Sequence, residues 1–428
     1  MLDIKFIREN KDIVQAGAKK KLVDIDIDAL VTLDDERLKI LKEVEDLRAE
    51  VNKVSNEIAR KQDSGLKVQL IEEMRAVKED IKQKEEKLKT ITEDWQKMML
   101  QVPNVPDISV PEGTSDENNQ EIKVWPASTQ GGGEKTVFNF EPKDHVEIMT
   151  ALHMVDFERG IRVHGFRGYF LTGDAVRLSF AIWNYALEFF SSRGFLPIMP
   201  PALNRKENFL GTGFLPQNEE DLYKTQDNDY LAGTAEVPVM GMHTGEILDK
   251  KSLPIKYLGF SPCYRREAGS HGKDVKGLIR VHEFYKLEQV ILCEAAHETS
   301  VKHHEELVTN TEEFIESLGV PYRRVINCGG DLGLGQVKKY DIELWVPKEN
   351  KYREIASASY FHDFQTRRLG IRYKDEEGKM HYAHSLNQTA IATPRILVSL
   401  VENYQQADGS IKIPEVLRKY MGEKEFVN

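Results

Sequence analysis

The stretch YRREAGSHGKDVKGLIRVHEF, Tyr264 to Phe284, gathers Arg265, Arg266, Lys273, Lys276 and Arg280 around a Gly-Ser-His-Gly loop. The whole chain is acidic, with a formal net charge of −11, so this local positive charge calls for an anion. Arg265 follows an apolar run that reads as a strand, where a side chain is aimed rather than loose. Its planar guanidinium fork suits phosphate oxygens. After the loop, Leu278–His282 reads as a returning strand that carries Arg280, with Phe284 just beyond it. Guanidinium groups at both ends of a hairpin, with an aromatic ring beside them, meet the needs of a nucleoside triphosphate: charge over the phosphates and a stacking surface for the base. A solvated hairpin with scattered charge is the plain alternative, and for this stretch alone the commoner outcome. The familiar nucleotide motifs are poor candidates. GSHGKD has the wrong spacing for GxxxxGK[ST], and no clear helix follows GGDLGLG at Gly329–Gly335.

Three other stretches shift the balance. AGTAEVPV sets Glu236 close to Thr234 in an apolar run, and a carboxylate there needs a partner such as a substrate ammonium. YREIASAS puts Glu354 on a strand with Ser357 and Ser359 nearby, hard-oxygen donors suited to Mg²⁺. LNQTAIATPRILVSLVENYQ ends in a helix that begins near Pro394 and carries Arg395 in its first turn. A cation there opposes the helix dipole unless an anion lies beside it. A surface turn, an ordinary strand and a misjudged helix start are the respective alternatives. Convergence of all four stretches in one domain is the more economical account.

These residues need a scaffold. The chain has 428 residues, 40% hydrophobic and 30% charged, enough for two or three domains and a large core. No apolar run is long enough to span a bilayer, and MLDIKFIRENKDIV lacks the apolar region of a signal peptide. Three dispersed cysteines, Cys263, Cys293 and Cys328, fit a reducing cytoplasm and argue against a disulfide scaffold or a CxxC zinc site. The negative balance argues against nucleic-acid binding by bulk charge; such a partner would need local basic patches instead.

Residues 33–61 and 66–102 read as two long helices. Val44, Val51 and Ile58 recur every seven residues with Leu47 and Val54 between them. In the second run, Leu70, Val77, Ile91 and Met98 form one seam, broken by Lys84, and Met74, Ile81, Leu88, Trp95 and Val102 the other. Such heptads make a coiled coil. Gln62-Asp63-Ser64-Gly65 reads as the reversal, giving an antiparallel hairpin with arms of about 45–55 Å. A dimerisation rod is the plain reading of this segment. Lys53, Arg60, Lys61, Lys67, Arg75 and Lys78 near the tip suit a phosphate backbone. The expected division is residues 1–102 with the arm over about 30–102, a linker over 103–136 that holds the polar PEGTSDENNQE, and a domain over 137–428. In this last part short β-branched and aromatic runs alternate with helical ones without regular βαβ spacing. The fold class is therefore α+β, with an antiparallel sheet flanked by helices.

Together these stretches resemble the class II aminoacyl-tRNA synthetases, and among them the common, non-zinc seryl type, over nearly the whole chain. GFLPIMPPAL resembles motif 1, with a proline at a dimer interface. Tyr264–Phe284 resembles motif 2, TAEVP the serine-binding loop, and YREIASASYFHDFQTRR with LNQTAIATPRILVSLVENYQ the region through motif 3. The resemblance implies that Arg265 binds the ATP α-phosphate, Glu267 the adenine end and Arg280 the terminal phosphates, while Phe284 and Arg395 sandwich the adenine. Arg265, Arg280 and Arg395 would be the catalytic set. Arg266, Val281, His282, Glu283, Ile355 and Ala356 would complete the ATP site, and Glu354 and Ser357 would hold Mg²⁺. Thr234, Ala235, Glu236, Arg265, Glu288, Asn387 and Thr389 would bind serine. Lys273 and Lys276 would meet the tRNA acceptor end, with Lys53, Arg60, Lys61, Lys67 and Arg75 on the arm. Two departures stand out: Tyr264 and Arg266 replace the usual Phe and Ser of motif 2, and Asn387-Gln388-Thr389-Ala390 replaces Asn-Gly-Ser-Gly, with Thr389 keeping the hydroxyl.

The implied activity is a cytoplasmic, homodimeric ligase without membrane contact. It joins L-serine to ATP as seryl-adenylate and passes serine to tRNA(Ser), with tRNA(Sec) left open as a second acceptor. Deleting residues 30–102 should spare adenylate formation and abolish charging. Two rivals stand beside it: a ligase that loads a carrier protein, which such an arm argues against, and a non-catalytic interaction protein, which would have lost the motif arginines.

Overall fold

The computed structural model describes residues 1–60, 64–127, 135–269, 272, 274 and 276–428, without the side chains of 57, 59, 60, 64 and 66–69. Two compact units divide it, Met1–Val105 and Pro106–Asn428.

The first unit is helical. Helix α1 (Ile4–Glu9) starts at Asp3, whose side chain accepts the Lys5 N–H, and α2 (Lys11–Lys20) follows directly. Ile7, Val14 and Ala18 from this pair pack with Ile27, Leu30, Met99 and Val102, which makes an apolar base for the arm. The arm is α3 (Ile27–Arg60) and α4 (Ser64–Gln101). Arg37 lies over the Trp95 ring and, further along, Arg48 pairs with Glu85, so numbers rise on one helix as they fall on the other: the hairpin is antiparallel. The expected seams lie inside, with Val44, Met74 and Ile91 buried and Leu47, Val51, Val77 and Ile81 half-buried. Lys84, the seam's break, reaches Glu43 across the interface at 2.7 Å. Ser64 and Gly65, expected in the reversal, belong to the first turn of α4, while Gln62 and Asp63 lie outside the described residues.

The second unit is built on eight strands: β1 (Gln120–Trp125), β2 (Leu196–Ile198), β3 (Ile255–Tyr264), β4 (Glu283–Cys293), β5 (Tyr322–Ile326), β6 (Lys338–Val346), β7 (Lys351–His362) and β8 (His384–Thr393). Their order in the sheet is β1-β5-β6-β7-β8-β4-β3-β2. Every neighbouring pair is antiparallel except β2 with β3. Strand β1 falls within the stretch expected as the 103–136 linker. Gln120–Trp125 pairs with β5 as the sheet's edge, and Asp116–Asn118, inside the polar stretch, is one turn of 3₁₀ helix.

One face of this sheet is apolar. Leu258, Phe260, Leu287, Ile291, Leu386, Ala356 and Ile342 share it by strand alternation, and it carries the main core. Helix α5 (Asp174–Ser191) and the 21-residue α7 (His297–Ser317) pack on its strands. Between them in the chain lies the short α6 (Glu236–Gly241). Helices α8 (Phe364–Leu369) and α9 (Arg395–Tyr404) follow β7 and β8.

Candidate active site

The opposite face of the sheet is polar, and strand register assembles it. On β4 the alternation Phe284, Lys286, Glu288 points one way. Their partners on β3 are Cys263, Ser261 and Gly259, and on β8 Ala392 faces Lys286 while Thr389 faces Glu288. These small neighbours leave open space above a row of functional groups. Two irregularities then shape the row. Glu354 pairs with Glu343 and Ala356 with Ile342, which leaves Ile355 as an extra residue in β7. In a regular strand Glu354 and Ser357 would point to opposite faces. The bulge brings both onto the polar one. A second bulge, at Ala390, separates the Thr389–Glu288 pair from Ile391–Leu287.

Above this face lies a cleft. Arg265, Glu267, Val281 and Phe284 line it from the 264–284 segment; Glu354, Ile355, Thr389 and Arg395 line it from the distant stretches. The guanidinium of Arg265 lies 5.3 Å from the centre of the Phe284 ring, and its Nη2 donates to the Gly233 carbonyl at 3.4 Å. Arg395, at the start of α9, donates from Nε to the Ile279 carbonyl at 3.0 Å and from Nη1 to the Glu354 carbonyl at 2.8 Å. Burial pushes the Arg395 pKa below its ordinary value; Glu354 opposes this, while Arg265 and Arg280 add to it. Three guanidinium groups are therefore close enough to repel one another, an arrangement suited to an anion.

Leu278–His282, expected as a strand, is an irregular passage; the ladder begins at Glu283. Packing overrides the local strand preference here. Gly277 takes φ +85° directly against the His145 ring, the Leu278 N–H donates to His145 Nε2 at 3.3 Å, and Leu278 and Ile279 dip into the core. Arg280 accordingly sits on a loop. It contacts Glu267 at 2.6 Å and Asp274 at 3.6 Å, in a depression that shares Glu267 with the main cleft. Burial works against the Arg280 charge, but Glu267 and Asp274 outweigh it and raise its pKa. Glu267 itself is held at φ +55°, a left-handed conformation that costs a non-glycine residue about 1–3 kcal/mol.

Three expected ATP-site residues point elsewhere. Arg266 is exposed and donates to the Glu220 carbonyl at 3.0 Å. Glu283, one residue before Phe284, falls on the other face by alternation and lines a separate apolar pocket with Trp183 and Tyr285. The Ala356 side chain is buried in the core on the helix-packed face. His282 does not line the cleft either: its Nδ1 is 3.0 Å from the Arg265 carbonyl, and its ring lies beside His164, Phe166 and Tyr223.

The remaining groups form a buried polar pocket. Thr234, Ala235, Glu236, Glu288, Asn387 and Thr389 are all buried. Thr389 donates to Glu288 at 3.1 Å, and the Glu236 N–H donates to the Thr234 hydroxyl at 3.3 Å. Glu236 starts α6 and accepts from Gln365 Nε2 at 2.6 Å. Its pKa is pushed up to about 7, by burial first and then by Glu288, with Gln365, Lys286 and Asn387 pulling the other way. Two of these partners escaped the sequence reading. Lys286 stands two residues before Glu288 on a buried strand, a spacing that places a cation beside the carboxylate and could have flagged it. Gln365 sits on α8, and no local signal pointed to it.

The Glu354–Ser357 pair has the donor chemistry for Mg²⁺. Beneath it, Asp341 receives hydrogen bonds from Ser357 and Asn327 and lies 3.6 Å from Lys339. Among the described residues no group of three His, Cys, Asp or Glu side chains is placed to hold a metal. Of the proposed nucleic-acid contacts, Lys53, Arg75 and Lys276 are exposed; Lys61, Lys273 and the side chains of Arg60 and Lys67 lie outside the described residues.

Residues 1–106 match the model of the seryl-tRNA synthetase N-terminal domain, and residues 220–404 that of the tRNA synthetase class II core domain (G, H, P, S and T). Curated relatives extend the match to full length. The serine–tRNA ligase of Deinococcus radiodurans is 45% identical, over 100% of this chain and 99% of the relative.

The chain belongs to the seryl-tRNA synthetase family.

The serine–tRNA ligase of Thermodesulfovibrio yellowstonii, another relative, is 44% identical over 99% of both chains. Among solved structures, the seryl-tRNA synthetase from Pyrococcus horikoshii complexed with ATP superposes with a TM-score of 0.90 at 38% identity, covering 100% of this chain and 99% of that one. The cytoplasmic serine–tRNA ligase from Naegleria fowleri in complex with AMP gives 0.87 at 31% identity, again covering 100% and 99%.

Proposed function

We propose that this chain is a serine–tRNA ligase that works in two steps. A carboxylate oxygen of L-serine attacks the α-phosphorus of ATP; that P–O bond forms as the bond to pyrophosphate breaks, leaving seryl-adenylate. The terminal ribose hydroxyl of tRNA(Ser) then attacks the seryl carbonyl, AMP leaves and the hydroxyl proton is released. The observation that carries this reading is the single cleft in which Arg265, Phe284, Glu354 and Arg395 meet, on the sheet face that also bears Glu288 and Thr389.

The first step needs positioning and charge neutralisation more than a protein base. Arg265 neutralises the α-phosphate, and Phe284 and Arg395 take the adenine between them. Glu267 binds the adenine end. Arg280 takes the terminal phosphates in exchange for its contacts with Glu267 and Asp274. Glu354 and Ser357 would hold Mg²⁺, which would supply positive charge to the phosphate oxygens. In the inner pocket Glu236 and Thr234 receive the serine ammonium, and Glu288, Thr389 and Asn387 close around the side-chain hydroxyl. Hydrogen bonds to that hydroxyl select strongly against alanine, because losing them leaves buried polar groups unpaired.

The arm contacts the tRNA through Lys53, Arg75 and their neighbours. The protein acts as a homodimer through the segment around Pro200, which the exposed Leu196 and Met199 support. Its setting is the cytoplasm, consistent with three free, buried cysteines. No helix among the described residues is long and apolar enough to cross a membrane.

The test is pyrophosphate exchange with each of the twenty amino acids, followed by charging of tRNA. Exchange with serine and transfer to tRNA(Ser) are expected. Exchange with a different amino acid, or serine transfer to a carrier protein in place of tRNA, would overturn the reading.

A further inference from the structure

Lys286 is a buried ammonium on the polar face of β4, 2.5 Å from a Glu288 carboxylate oxygen that is itself 2% exposed. A buried ion pair of this kind does not explain itself by stability, since apolar residues of similar size commonly do as well or better. The surroundings say more. Lys286 lines the cleft, and its strand neighbours are Ser261 and Ala392, too small to cover it. Glu288 lies between Gly259 and Thr389 and accepts the Thr389 hydroxyl. Glu236 is the second carboxylate of the same pocket. Two carboxylates sharing a pocket tend to hold one proton between them. A fixed ammonium beside one of them offsets that repulsion and leaves the two carboxylates facing a pocket that a substrate ammonium fits.

We propose that Lys286 is a positioning and specificity residue of the serine pocket. Its ammonium fixes the Glu288 carboxylate in place and turned toward Thr389, so that Glu288 accepts the hydrogen bond of the serine side-chain hydroxyl. The proposal rests on the serine-activation reading above and adds a residue that acts through Glu288 without touching the reacting atoms.

The experiment is pyrophosphate exchange by the full-length protein with serine and with alanine, for wild type, Lys286→Met, Lys286→Arg and Lys286→Met in a Glu288→Gln background. Lys286→Met should raise the serine KM about 30-fold or more, as when one partner of a buried charge pair is lost. The ATP KM should stay within about twofold, and the preference for serine over alanine should fall with the serine KM. Lys286→Arg, which keeps the charge, should recover part of the preference, and in the Glu288→Gln background the loss of Lys286 should add little. Equal losses with serine and alanine, joint movement of both KM values, or additive effects with Glu288→Gln would overturn the proposal. Absence of serine-dependent exchange in the wild type would instead overturn the reading on which it rests.

Discussion

In the arm, charged side chains stand in water and pair across a surface. Lys84 reaches Glu43, Arg48 reaches Glu85 and Lys87 reaches Glu36, each with a large share of its surface exposed. On the polar face of the sheet the same residue types are buried. Lys286, Glu288, Glu236 and Asp341 sit among small neighbours, where two carboxylates are driven toward neutrality. Surface pairs contribute little and are screened by salt, whereas a buried charge costs several kcal/mol unless it is answered. The arm spends its apolar residues on length and keeps its charges interchangeable. The sheet gives up apolar contact on one face to keep charges that only a substrate completes. The arm should therefore tolerate change residue by residue yet be needed as a whole, and the sheet the reverse.

The largest effect expected from that contrast comes from removing the arm's outer part. Replacing residues 45–83 by a short turn keeps the base cluster of Ile7, Leu30 and Met99 and the Ile40–Val44–Ile91 contact above it. Serine-dependent pyrophosphate exchange should remain near wild type while tRNA charging falls to background, as filter-bound aminoacylation would show. Charging that survived the excision would make the arm a structural rod.

Next comes a single atom group in the sheet. Arg265→Ala removes the guanidinium beside Phe284 without disturbing the core, so the melting temperature should hardly move. The exchange rate should fall about 10²- to 10³-fold, the usual cost of one donor to a developing charge. An unchanged rate would remove Arg265 from the chemistry.

A third test uses pH. Glu236 is held at about 7, above its ordinary 4.5, mainly by burial. A group whose folded-state pKa is raised in this way binds more protons in the folded than in the unfolded protein between about 4.5 and 7, so its contribution to stability falls as pH rises through that window. Unliganded Glu236→Gln should accordingly melt higher than wild type at pH 8 and show no such advantage at pH 4. Serine needs the ionised form: its affinity for the wild type should drop about tenfold per unit below pH 7, a dependence that Glu236→Gln loses along with most binding. Calorimetric titration of serine across pH reads both.

The contrast also explains what could be read in advance. Heptads at Val44, Val51, Met74 and Ile81 fix the arm because each residue's environment repeats along its own helix. Arg265, Phe284 and Arg395 were recognisable for their type and their place beside a strand or a helix start. The bulges at Ile355 and Ala390 were not, since a bulge exists only against a partner strand. Neither was the Leu278–His282 passage: its composition favours a strand, and its departure depends on His145, which approaches from 133 residues away in the chain. Lys286 had a local signal in its spacing from Glu288, hidden because a lysine is ordinarily expected in water.

The smallest effect should come from Lys84, the one residue that interrupts an apolar seam of α4. Its ammonium pairs with Glu43 where water competes for both groups. Lys84→Leu would remove that pair and continue the Leu70–Val77–Ile91–Met98 seam through its gap. Glu43 keeps access to solvent, so no buried charge is stranded. The melting temperature should rise slightly, its dependence on salt should weaken, and exchange and charging should both stay at wild-type rates. A clear fall in melting temperature would show that the Lys84–Glu43 pair carries the arm's register, and that on this helix too a charge can be irreplaceable.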